Sequence, residues 1–95
     1  MESIALVGRL KPGTEERARE LALVEPAGTP GLRRISVFLS PGEAVFVLEG
    51  ESPEESFRHF LDDPVDSTLL APWLPLFDGP LHRAPQLAHW DLPGG

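Results

Sequence analysis

The 95-residue chain is expected to fold as an α+β domain in the order βαββαβ, with a four-stranded antiparallel sheet carrying its helices on one face. Three observations predict this. Two β-rich runs, residues 32–39 and 43–49, are joined by Ser40-Pro41-Gly42, a connection short enough to make them neighbouring antiparallel strands. Each strand-like stretch outside that hairpin is separated from it by one helical pattern. No internal repeat or low-complexity segment interrupts the order, so residues 1–95 are read as a single domain.

Residues 3–10 have the length and β-branched content of a first strand, which Lys11-Pro12-Gly13 stops. Thr14 is placed to cap a helix over about residues 15–24, where Glu15 and Glu16 suit the positive end of the helix dipole and Ala18, Leu21 and Ala22 form a narrow apolar stripe. Residues 25–31, with two prolines and two glycines, read as a loop. In the hairpin Ile35, Val37 and Leu39 share one face and Phe38 takes the other, while Val45 and Val47 oppose Phe46 and Leu48. Both faces are therefore apolar. One layer of helices covers a single side of a sheet, so the other side calls for a second cover, and a second copy of the chain would supply it.

Ser52-Pro53-Glu54-Glu55 is a helix start, with Ser52 at the cap, Pro53 in the first helical position and Glu55 able to reach back, and the helix is expected to run to about Asp62. Residues 65–77 continue the helical layer with Leu69, Leu70, Trp73, Leu74 and Phe77 at helical spacing, broken or kinked by Pro72 and Pro75. A last strand is expected over about residues 82–91, at a sheet edge because it carries Pro85. This succession is the ferredoxin-like one.

Composition narrows the function. The net charge of −7 is uneven: residues 1–40 hold six Lys/Arg against five Asp/Glu, and residues 41–95 hold two against ten. Binding to nucleic acid needs a basic stripe, and Arg33-Arg34 is too short to be one, so no nucleic-acid partner is expected. The chain has no apolar run long enough for a membrane span and no secretory leader pattern at Met1-Glu2-Ser3, so a cytoplasmic location without membrane attachment is expected. With no cysteine, disulfides, thiolate metal sites and a cysteine nucleophile are excluded.

The stretches Arg9-Leu10-Lys11-Pro12-Gly13, Gly31-Leu32-Arg33-Arg34-Ile35-Ser36-Val37-Phe38-Leu39 and Ala44-Val45-Phe46-Val47-Leu48-Glu49 resemble those of the dimeric α+β barrel superfamily and, within it, of the L-rhamnose mutarotase family. The resemblance implies a homodimer whose two sheets face each other as a barrel, and a small-molecule cleft between each sheet and its own helices. It does not carry the mutarotase chemistry. That family's first helix presents a Tyr followed four residues later by a catalytic His; the matching positions here are Arg17 and Leu21, and the chain has no tyrosine. The paired tryptophans of its second helix reduce here to Trp73.

Few residues suggest chemistry on their own. His89, beside Trp90 on the expected last strand, is the candidate acid or base, since histidine exchanges its proton near neutrality. Its bland alternative is an edge-strand histidine bonded locally. Arg9 suits a carboxylate or oxyanion, or else an ion pair with Glu49. Trp73 and Trp90 could wall a pocket or be core, and Ser36 is a further ligand-facing candidate. His82 and His89, seven apart, would point to opposite faces of one strand, and His59 with Asp62 or Asp63 reads as surface charge, so no metal site is expected. No glycine-rich phosphate loop or other cofactor motif is present, and no cofactor is expected. The leading expectation is a homodimer, paired through the sheet face, that binds and could transform a small organic molecule in a cleft involving Arg9, Trp73 and His89. The alternative is a non-catalytic structural or interaction module with a filled core. Whether the chain is an enzyme stays open at this point.

Overall fold

The computed structural model describes residues 2–24, 31–62 and 70–93, the side chains of Phe60 and Leu61 apart. Its elements follow the expected order: β1 (Glu2–Arg9), α1 (Glu15–Ala22), β2 (Leu32–Ser40), β3 (Glu43–Gly50), α2 (Pro53–Asp62), a 3₁₀ helix (Ala71–Leu76) and β4 (His82–Pro85). The strands form one antiparallel sheet in the order β2-β3-β1-β4, the ferredoxin-like arrangement, with the helices on one face. None of the helices is long and apolar enough to cross a membrane among the described residues.

The hairpin forms as its residues dictate. Pro41 and Gly42 are the two turn residues between the paired Ser40 and Glu43, and Gly42 has φ +83°, which a type II turn requires of the residue after its proline. The inward side of the sheet carries Ile4, Leu6, Ala44, Phe46 and Leu48, all buried. Phe57 of α2, Ala18 of α1 and Leu70, Trp73, Leu76 and Phe77 of the 3₁₀ segment close the core over them. Gly8 lets this layer approach β1, because a methyl group there would lie 2.8 Å from Cε1 of Phe77 and 2.7 Å from Cδ2 of Leu81.

Four local expectations are corrected. Thr14 does not cap α1: it has φ −101° and ψ 1°, outside the extended region of an N-cap, and its hydroxyl turns back to donate to the Lys11 carbonyl at 2.7 Å. The helix ends at Ala22 instead of 24, and the helical spacing around Trp73 becomes a 3₁₀ helix, which accommodates Pro72 and Pro75 in a short piece. The last strand stops at Pro85, opposite Ile4, because proline offers no donor and β1 has only two residues left to pair with. Of the loop expected over 25–31, all but Gly31 lies outside the described residues, as do Asp63 and Leu69.

Candidate functional site on the outer face of the sheet

The strand register sorts the outward side chains into four rows across the sheet. Two central rows are nearly all apolar: Ser36, Val47, Ala5 and Ala84, then Phe38, Val45, Val7 and His82. Charged rows flank them, with Arg34, Glu49 and Ser3 at one end and Ser40, Glu43 and Arg9 at the other. Among the described residues no helix lies on this side: Ala5, Val7, Val45 and Val47 are half-buried, and Phe38 is 58% exposed. An apolar centre inside a polar rim is the usual make-up of a protein interface.

Charges on the two rims differ in whether they are satisfied. Arg34 approaches Glu49 at 3.8 Å, and just beyond the face Arg33 bonds Glu51 at 2.9 Å. Arg9 and Glu43 stand opposite each other in the register, yet neither makes an ion pair within its own chain among the described residues. The expected alternative of an Arg9–Glu49 pair is corrected, since Glu49 faces Ser3 at the far end of β1.

The residues singled out from the sequence separate onto three parts of the molecule. Arg9, exposed, and Ser36, half-buried, share the outer face. Trp73 is on the inner side and 4% exposed, its ring edge-on to Phe46 with centroids 4.9 Å apart and stacked on Phe77 at 6.2 Å. His89 and Trp90 lie past the end of β4 in the exposed segment 86–93, where His89 Nε2 is 3.8 Å from Asp91 Oδ2 and Trp90 is 83% exposed. Among the described residues Arg9, Trp73 and His89 do not share a cleft between sheet and helices, because Phe46, Trp73, Phe77, Leu6, Leu48 and Leu70 pack together there. His82 lies on the outer face opposite Val7, exposed, and His59 is exposed on α2. No three His, Asp or Glu side chains come together as metal ligands among the described residues.

The open spaces lie elsewhere. A depression of about 390 Å³ opens at the β1–β4 side of the outer face, lined by Ser3, Ala5, Val47, Glu49, Ala84 and Gln86 among others. A second, of about 370 Å³, lies where the chain leaves β4 and is lined by Glu2, Glu54, Leu87 and His89 among others. The sequence pointed to an apolar outer face, and to Glu49 only as a partner for Arg9, but not to Glu43, Ala5 or Ala84, whose membership follows from the register.

No family model matches the chain, and no curated protein matches it. A solved structure does: a protein of Chloroflexus aurantiacus J-10-fl, provisionally described as an antibiotic biosynthesis monooxygenase, aligns over 94% of this chain and 97% of its own with a TM-score of 0.56. The resemblance to L-rhamnose mutarotases is not shown by these comparisons. What the chain shares with the Chloroflexus protein, at 19% identity, is its ferredoxin-like α+β fold.

Proposed function

We propose that the chain is the subunit of a homodimeric α+β barrel, pairing through the outer faces of two sheets, and that the pair binds a small organic molecule in the space those faces enclose. The observation that carries this reading is the apolar centre of the sheet, which no described helix covers, with Phe38 58% exposed inside a rim of charges. A chain of 95 residues buries only about 60–65% of its unfolded surface by itself, so covering this face adds stability the monomer lacks. The outer-face depression of about 390 Å³ is within the size range of small-molecule sites. The description of the Chloroflexus protein, a monooxygenase of antibiotic biosynthesis, points to chemistry on a molecule of that class. In this reading Arg9 and Ser36 meet the ligand on the pairing face, and His89 and Trp90 reach it from the segment after β4. Trp73 holds the sheet from beneath. Residues 1–95 act as one cytoplasmic domain.

The filled space between sheet and helices favours a second reading, a non-catalytic module that pairs without taking up a ligand. Sedimentation at micromolar concentration should give twice the chain mass, and Phe38→Glu should return it to one while circular dichroism stays native. A folded parent chain that sediments singly at every concentration would overturn the pairing. Thermal-shift screening of small organic acids and aromatic compounds separates the two readings: a dimer stabilised by none of them is the module.

A further inference from the structure

The orientation of the pair is written in the rim charges, and it deepens the pairing reading above, on which it rests. Two copies stacked with aligned strands are related by a two-fold axis lying between the sheets, running either along the strands or across them. An axis along the strands sets each row against its own copy and reverses strand order, so that β3 lies over β1 of the second copy. Glu43 then faces Arg9 of the second copy, Arg9 faces Glu43, and Glu49 meets Ser3. An axis across the strands keeps strand order and exchanges the two rims. Glu43 would then be set against Glu49 twice over, with Arg9 against Ser3 and Arg34 against Ser40. Like charges brought together in this way are costly, and opposite charges fix register.

We infer that the second copy docks about an axis along the strands, and that Arg9 of each copy is the partner for Glu43 of the other. Three facts meet here: the two side chains share one rim of the outer face, both are exposed, and neither has an ion-pair partner in its own chain among the described residues, whereas Arg34 and Glu49 on the opposite rim have each other. Facing sheets pack about 10 Å apart, within the combined reach of an arginine and a glutamate side chain. Because the interface is isologous, the pair occurs twice.

Charge exchange tests this in the full-length chain. Arg9→Glu alone and Glu43→Arg alone should each raise the dimer dissociation constant about tenfold or more, by placing like charges across the interface twice. An equimolar mixture of the two variants should recover pairing close to that of the parent, as a heterodimer in which both contacts join a glutamate to an arginine. An interaction confined to one chain predicts the reverse, because each variant in the mixture still carries its own like-charged pair. Single variants that pair as tightly as the parent, or a mixture no tighter than either variant, would overturn the inference and leave the dimer standing. A parent chain that never pairs would overturn the dimer itself. Arg9→Gln and Glu43→Gln, which remove attraction without adding repulsion, give the same comparison should a reversal disturb folding.

Discussion

Trp73 and Trp90 are the two tryptophans of the chain, and their surroundings are opposite. Trp73 is packed edge-on to Phe46 and stacked on Phe77, so Trp73→Ala removes a large buried ring from between fixed neighbours and should cost about 3–5 kcal/mol in urea unfolding. Trp90→Ala, at a site 83% exposed, should change the stability of the single chain by no more than about 0.5 kcal/mol. Gly50 and Gly8 set a second contrast. A methyl group at Gly50 would run into the Gly31 carbonyl and the Leu32 backbone, which are held by strand pairing; at Gly8 it meets the side chains of Leu81 and Phe77. Gly50→Ala should therefore lower the melting temperature more than Gly8→Ala. From the sequence the two tryptophans were equal candidates for a pocket wall or for core. Burial separates them, and burial depends on which segments return to the sheet, a fact of tertiary structure.

Among the elements, the hairpin was the most legible, because alternation and the Pro-Gly connection point to the same register. Its turn makes a sharp test: Gly42 has φ +83° and an added Cβ would find no other atom within 4 Å beyond its chain neighbours, so Gly42→Ala meets no clash and its cost is conformational, about 1–2 kcal/mol. Equilibrium unfolding checks this. Less legible were the ends of elements. Whether Thr14 caps α1 is decided by backbone angles that residue type does not fix, and the hydroxyl serves the Lys11 carbonyl instead. The last strand looked ten residues long and is four, since a strand lasts only as long as its neighbour and β1 begins at Glu2. Removing His89 and Trp90 from the sheet in this way is why their expected place in a cleft did not follow from composition and spacing.

For the whole molecule, the informative feature is a sheet greasy on both sides with helices on one. Val37, opposite Phe46, points toward the helices, and Phe38, opposite Val45, points away from them. Val37→Glu puts a charge against the core and should destabilise the chain by about 2–4 kcal/mol, visible as early denaturant unfolding. Phe38→Glu should leave the fold intact and act on assembly, visible only in the concentration dependence of mass. Equal behaviour of the two variants would contradict the assignment of faces. The two-sided pattern was readable in residues 32–49, but the rows were not, because cross-strand neighbours such as Ala5 and Val47 are 42 positions apart and meet only through the β1–β3 register.

Beyond Pro85 the backbone leaves the sheet, and Leu87, Trp90 and Leu92 are 96%, 83% and 76% exposed. Extended, accessible chain bearing these side chains is what chymotrypsin cleaves first. Limited digestion followed by mass spectrometry should show the tail trimmed at these residues while cuts in β1 to β3 lag behind, so a preparation stored with trace protease will shed its C-terminus before it loses its fold.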